Sequence, residues 1–266
     1  MKKAVTKGYV LLILLFLYAP IFVLIAFSFN ESKSRANFTG FTFHWYEELF
    51  KDNLIMTSLG NTLLIAVLAS VFATILGTAA ALGIKNMKKR ARSVCMNVTY
   101  MPVINPEIVM GISMMLLFVF ICQMFDWELG MITVLIAHIT FCVPYVILNV
   151  LPKLRQMDQN TYEAALDLGC TPFSAFFKVV IPEILPGIMS GFLMAFTFSL
   201  DDFIITYFTN GSSFQTLPVT IYAMTRKKVN PKINALSTIL FLAVLILLIV
   251  MNVRQARSEK NKEKQR

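Results

Sequence analysis

The sequence predicts an all-α polytopic membrane protein with six transmembrane helices and both termini in the cytoplasm, on three observations. Hydrophobic residues make up 57% of the 266-residue chain, and its mean hydropathy is +0.68; a soluble domain carries only about 45–50% apolar residues. Six runs come close to or exceed the ~20 predominantly apolar residues that a helix needs to cross a bilayer: 9–29, 59–84, 98–122, 131–151, 187–208 and 233–253. Lys and Arg crowd into alternate connections, as they do on the cytoplasmic side of membrane proteins.

Each run has its own justification. The first follows Lys2 and Lys3 and ends in Ala26-Phe27-Ser28, loosely like a cleavage site. Its apolar stretch exceeds the ~7–15 residues of a signal core, so a retained helix is expected. With the N-terminus inside, the inside segments hold Lys2, Lys3 and Lys7, then Lys85, Lys88, Lys89, Arg90 and Arg92, then Lys153, Arg155 and Lys178. The tail 254–266 adds Arg254, Arg257, Lys260, Lys262, Lys264 and Arg266. Outside lie Lys33, Arg35, Lys51, Arg226, Lys227, Lys228 and Lys232, and none of the 24 basic residues is left within a span. Pro20, Pro102, Pro106 and Pro144 suit the kinked helices of transporters, and the Met-rich stretch 110–115 reads as packing. The polar connections 30–58, 152–186 and 209–232 are too short for an independent globular domain, so 1–266 is expected to form one transmembrane domain.

Composition also excludes functions. The four cysteines, Cys95, Cys122, Cys142 and Cys170, show no paired spacing, so neither a disulfide framework nor a metal site is indicated. The net charge of +9 needs no nucleic acid, because basic residues beside anionic headgroups account for it. No nucleophile–base constellation appears, and no G-x-x-x-x-G-K-[ST] phosphate loop is present. The chain therefore reads as a non-enzyme.

The inside connection 152–186 is expected to form a helical hairpin. Asp158 supplies an acidic start, and 163–168 is a good helix former. Gly169 suits the left-handed residue that ends a helix. Thr171-Pro172 restarts one as N-cap and first helical position. Phe173, Phe176, Phe177 and Val180 give the second helix an apolar face, and Pro182 and Pro186 are expected to close it. On the residues alone, a hairpin resting on the headgroups is as good a reading as a docking element.

Glu163-Ala164-Ala165-x-x-x-Gly169, then nine residues and Val179-x-Ile181-Pro182, resembles the E-A-A-x3-G-x9-I-x-L-P loop of ABC importer permeases. Asn61-Thr62-Leu63 is similar to the start of the second helix in such permeases. More narrowly, 106-PEIVMGIS-113, 199-SLDDF-203, 216-TLPV-219 and 229-VNPKINAL-236 resemble spermidine/putrescine permeases of the PotC type. Glu107 stands where Asp is expected, and Lys227-Lys228 where a Gly is common.

The resemblance implies a type I ABC importer permease-like fold in the bacterial cytoplasmic membrane. It makes Glu163, Ala164, Ala165, Gly169, Pro172 and Pro182 a coupling element seated on a cytoplasmic ATPase. It also implies a second homologous permease subunit in a heterodimer, two ABC ATPase subunits and an extracytoplasmic polyamine-binding protein. ATP and Mg would sit on the ATPases, with no cofactor and no metal on this chain.

Three acids, Glu107, Asp201 and Asp202, fall within proposed spans. A charge at bilayer depth is a functional-site hypothesis unless it has a partner. On a continuous fifth helix, Gly187, Gly191, Ala195, Ser199, Asp202 and Thr206 form one small, polar stripe, whereas Asp201 shares its face with Met194, Thr197, Ile204 and Phe208. Such a stripe either packs on another helix or lines a solvated path. Asp202 is expected on the path, with a hydrogen-bonded structural carboxylate as the competing reading; for Asp201 the two are evenly balanced. Phe198, Phe203, Tyr207 and Tyr222 offer walls for a polyamine's methylenes and ammonium groups. Glu107, after Asn105 as N-cap and Pro106, belongs in the first turn of a helix or half-helix near the cytoplasmic interface, as a pathway acid or a carboxylate held by the helix dipole. His138, in the fourth run, reads as a hydrogen-bonded packing residue. The function so expected is polyamine import by alternating access driven by partner ATPases. The alternatives are the same architecture for another small solute, or an ion-coupled secondary transporter, which leaves the hairpin unexplained.

Overall fold

The computed structural model describes residues 2–32, 37–227 and 231–263, and side chains within 6–246 except 159 and 227, together with residue 249. Lys227-Lys228, Val229-Asn230 and the side chains of the basic tail, on which expectations rest, lie outside the described side chains. Among the described residues every regular element is helical, with one isolated antiparallel bridge between Asn30 and Phe41. Five helices are long and apolar enough to cross a membrane: Thr6–Ser28, Asn53–Asn86, Glu107–Phe125, Met131–Gln156 and Pro172–Asp201. The sixth run falls in a helix Lys232–Glu263, whose described apolar part is Lys232–Ile246.

The chain divides into two compact units, 1–56 with 221–266, and 57–220. The first contains α1 (Lys2–Ser28), α2 (His44–Phe50) and α12 (Lys232–Glu263). The α1 side chains are almost wholly exposed: Tyr9, Leu11, Leu12 and Phe16 lie between 66% and 78%. Lipid is as apolar as these side chains, so no solvent force drives them into a core. Just beyond α1, Phe29, Phe41, Phe43 and Tyr46 cluster, with Phe29 and Phe41 stacked at 5.0 Å. Trp45 is buried and its indole N–H donates to the Asn30 carbonyl at 2.7 Å. At the start of α12, Lys232 Nζ meets Glu48 Oε2 at 3.1 Å and Asp52 Oδ2 at 3.7 Å, while His44 Nε2 approaches Glu48 Oε1 at 3.2 Å. The lysine holds the Glu48 carboxyl below the usual carboxylate range.

The second unit is built around α6 (Met131–Gln156). Its core joins Ala73 and Ala81 of α3 (Asn53–Asn86) to Val146, Val150 and Leu154 of α6 and Ile184 of α9 (Ile181–Asp201), all fully buried. The motif Asn61-Thr62 finds partners in the motif around Leu217: the Asn61 amide donates to the Gln215 carbonyl at 2.9 Å, and Thr62 Oγ1 accepts the Leu217 N–H at 2.7 Å.

Two expected spans are interrupted. The run 98–122 is divided between α4 (Lys89–Ile104) and α5 (Glu107–Phe125). Pro106 causes the division, because proline disfavours the helical conformation in the residue before it. Asn105 accordingly sits at φ −71°, ψ 142°. Asn105 thus ends α4 instead of capping α5, and Pro106 takes the cap position. The run 187–208 is divided between α9 and α10 (Ile204–Thr209), with Asp202 extended at φ −60°, ψ 124°.

The hairpin of the connection 152–186 forms largely as its residues direct. Asp158 caps α7 (Gln159–Asp167) by accepting the Asn160 N–H at 3.0 Å. Gly169 takes φ +87°, and the Gly169 and Cys170 N–H groups close onto Leu166 and Ala165. Thr171 caps α8 (Pro172–Ala175). Pro182 does not close the second helix, contrary to expectation. A π-helical turn at Phe176–Val180 carries α8 directly into α9, and Pro182 occupies the first turn of α9. The turn's wider bonding, with the Ile181 N–H on the Phe176 carbonyl, absorbs a proline that cannot donate.

Candidate functional site

The small stripe on α9 and α10 survives the break, and all six of its members are buried. They pack along α6. A Cβ on Gly191 would stand 3.2 Å from Val146, and one on Gly187 would stand 3.0 Å from the Asn149 carbonyl. Only small residues allow this approach. Further along, Cys142 donates to the Ala195 carbonyl at 3.5 Å. His138 then meets Ser199 through Nδ1 at 2.7 Å and Thr206 through Nε2 at 2.8 Å.

Asp202 sits inside this seam with its side chain 4% exposed. It accepts the N–H of Ile205 at 3.2 Å, the N–H of Thr206 at 2.8 Å and the Thr206 hydroxyl at 2.9 Å, and it lies 3.3 Å from His138 Nε2. A carboxylate that binds backbone N–H groups three and four residues ahead opens a helix as a cap does. This is why the helix breaks here, although Thr206 keeps the place on the buried stripe that a continuous helical net gives it.

Asp201, its neighbour, is exposed at the end of α9. Its carboxylate interacts electrostatically with those of Asp202 and Glu107. Glu107 is exposed in the first turn of α5. It lies four residues before Gly111, where α5 packs on α10 against Phe208 and Ile204. The 16 residues of α4 precede it. Phe198, half-buried, meets Tyr145 with ring centroids 4.5 Å apart and Phe141 at 6.2 Å. Tyr145 also interacts with Glu107. Phe203 and Tyr207 pair at 5.4 Å, and Tyr207 is 45% exposed. Tyr222 belongs to the other unit, where the Arg226 guanidinium lies 5.9 Å from its ring centre.

The structure therefore packs Tyr145 on Phe198, leaves Asp201 and Glu107 exposed within electrostatic range of one another, and sets Ser199 and Asp202 into helix packing. Sequence reasoning missed Tyr145, although it stands one residue after Pro144 and two helical turns beyond His138. Chemically, two exposed carboxylates, with Asp201 at the negative end of α9, suit a cation.

At the hairpin, Glu163, Ala164, Gly169, Pro172 and Pro182 are exposed and Ala165 is half-buried. Leu168 and Phe173 stand out on either side of the turn at 87% and 75% exposure. Behind them Leu82, Lys85, Asn86, Leu154, Met157, Tyr162, Glu163, Phe176 and Val180 line a cavity of about 380 Å³. Among the described residues no cluster of His, Cys, Asp and Glu could hold a metal ion.

Residues 73–264 match the family described as binding-protein-dependent transport system inner membrane component. The chain is 40% identical over 250 residues to the putrescine transport system permease protein PotI of Escherichia coli (strain K12), covering 93% of this chain and 89% of that one. It is 34% identical over 242 residues to the spermidine/putrescine transport system permease protein PotC of the same strain, covering 91% and 90%. Its fold is similar to that of a bacterial ABC transporter involved in import of the acidic polysaccharide alginate, with TM-score 0.74 at 16% identity, covering 94% of this chain and 95% of that one. That of the alginate ABC transporter in complex with a pentasaccharide-bound periplasmic protein gives 0.68 at 17% identity, covering 94% and 91%. Two broken spans, a Gly-turned cytoplasmic hairpin and this family match agree, and the chain belongs to the binding-protein-dependent transport system inner-membrane components, as an ABC importer permease.

Proposed function

We propose that this permease moves polyamines, putrescine or spermidine, across the cytoplasmic membrane by alternating access. The observation that carries the reading is the pair of exposed carboxylates, Asp201 and Glu107, each at the end of an interrupted helix and within electrostatic range of one another, with Tyr145 and Phe198 packed together in the same unit. The absence of any Lys or Arg in the spans proposed from the sequence supports a cation over an anion, and PotI and PotC are named for these substrates. Asp201 and Glu107 act as weak stations for ammonium groups, and the aromatic rings accept the methylenes. Asp202 and Ser199 keep the second break in shape.

The wider assembly follows from the family. Six spans with both termini inside pair with a second, homologous permease. Two ATPases hold ATP and Mg and receive the hairpin through Glu163, Ala164, Ala165, Gly169, Pro172 and Pro182, with Leu168 and Phe173 as its apolar tips. A binding protein delivers the polyamine from outside. Nucleotide closure draws the paired hairpins together and opens the path outward; hydrolysis reverses it.

Uptake of labelled putrescine and spermidine by cells expressing the whole transporter tests the reading. Asp201→Asn is expected to raise KM roughly tenfold for both, as loss of a pathway charge would. Unchanged kinetics would remove Asp201 from the path, and no uptake of either polyamine by the wild type would remove the substrate class.

A further inference from the structure

We infer that His138 is a positioning residue for passage of the substrate. One imidazole on α6 ties Ser199 of α9 to Thr206 of α10 and to Asp202 at the break between them, and so holds the break that turns Asp201 toward the pathway. The inference rests on the proposed role of Asp201 but does not depend on which cation is carried.

His138 is buried at 2% exposure and both ring nitrogens are engaged. The hydrogen-bond directions follow from proton counting. The Thr206 hydroxyl has one proton and donates it to Asp202. Toward His138 it therefore accepts, so Nε2 carries the hydrogen. A neutral ring then offers Nδ1 as acceptor to the Ser199 hydroxyl. The ring thus has one polar edge on each half of the fifth span.

The two halves are not equally anchored. α9 is already seated on α6 through Gly187, Gly191 and the Cys142–Ala195 contact. Beyond the break, α10 meets α6 at Thr206 through His138 and at Thr209, whose carbonyl accepts the Thr133 hydroxyl at 2.7 Å. Asp202 itself caps α10, and His138 Nε2 is the group from another helix beside its carboxylate. Loss of Nε2 therefore loosens the cap and the start of α10 together. Loss of Nδ1 removes a contact on a helix that other contacts still hold.

This asymmetry makes the inference testable with near-isosteres. Gln at 138 reaches the Nε2 position and keeps a donor on Thr206 and Asp202, whereas Asn reaches only the Nδ1 position. In the whole transporter, His138→Leu and His138→Asn are expected to raise KM for polyamine uptake roughly fivefold or more, with His138→Gln within about twofold of wild type. Vmax per transporter in the membrane should change less than KM. A purely structural histidine would instead lower the amount of transporter at unchanged KM, and that result would overturn the inference, as would Asn and Gln variants that behave alike. If His138→Leu does not assemble, the Asn and Gln pair decides.

A second readout is independent of the substrate. Asp201→Cys in the assembled transporter is labelled with a membrane-impermeant thiol reagent, counting only label that requires the introduced cysteine. Its rate should change severalfold when His138→Leu is added, or His138→Asn if the leucine variant does not assemble. An unchanged rate overturns the inference. If the wild type takes up neither polyamine, the substrate class alone falls and this labelling decides the positioning role.

Discussion

Two helices of the second unit are interrupted at neighbouring places, but by different means. Between α4 and α5 the break is covalent: Pro106 has no N–H, and it holds Asn105 in an extended conformation. Between α9 and α10 the break is held by side chains, because Asp202 captures the N–H groups of Ile205 and Thr206 while His138 secures Asp202. The bias that Pro106 places against helix at Asn105 is local and acts in every conformation of the chain. A hydrogen-bonded break persists only while its partners stay in place, so it can be released and remade. Each carries an exposed acid, Glu107 on a fixed mount and Asp201 on a conditional one.

Removing each device measures that difference. The largest loss is expected from Asp202→Ala, which deletes a cap and leaves the Thr206 hydroxyl and the Ile205 and Thr206 N–H groups without their acceptor; about 2–4 kcal/mol of stability should go, read as the melting midpoint of the purified complex in detergent. Gly169→Val tests a third kind of turn, set by backbone sign alone. At φ +87° a β-branched residue costs about 1–2 kcal/mol, and copurification of the ATPase should be lost while the membrane domain still melts cooperatively. Pro106→Ala should cost only about 0.4–1 kcal/mol, mainly through the unfolded chain; a drop as large as that for Asp202→Ala would erase the distinction between the two breaks.

The smallest effect belongs to the first unit, at Glu48. Lys232 lowers its folded-state pKa below the ordinary value of 4.5. A depressed carboxylate contributes stability that is present above the unfolded pKa and is lost as pH falls through the folded one. Glu48→Gln should therefore leave melting near pH 7 almost unchanged and remove part of its decline below about pH 4.5.

Much of this was legible in the sequence because it is local. The hairpin is encoded residue by residue, by Asp158, Gly169 and Thr171-Pro172, and those signals act over a few positions. The half-helix at Glu107 was legible for the same reason, since a proline constrains its own neighbour. The stripe Gly187 to Thr206 was legible as a pattern, but its partner was not. Small residues at helical spacing serve a packed seam and a wet path equally, and only α6, 50 or so residues earlier, decides between them. The break at Asp202 was hidden for a related reason. An aspartate reads as helix until a buried histidine from another helix makes the capping geometry worth adopting. Tyr145 was invisible because its partners Phe198 and Glu107 lie on separate helices.

The π-helical turn joins α8 to α9 without a loop, so one rod of 30 residues runs from Pro172 to Asp201. At 1.5 Å per residue the rod is about 45 Å long. It forms a beam with the hairpin turn at one end and the Asp201 carboxylate at the other. A tilt of about 5° about its foot displaces the far end by about 4 Å, more than the length of a hydrogen bond. Small adjustments at the hairpin end are thus magnified by length alone, with the seam along α6 between the two ends.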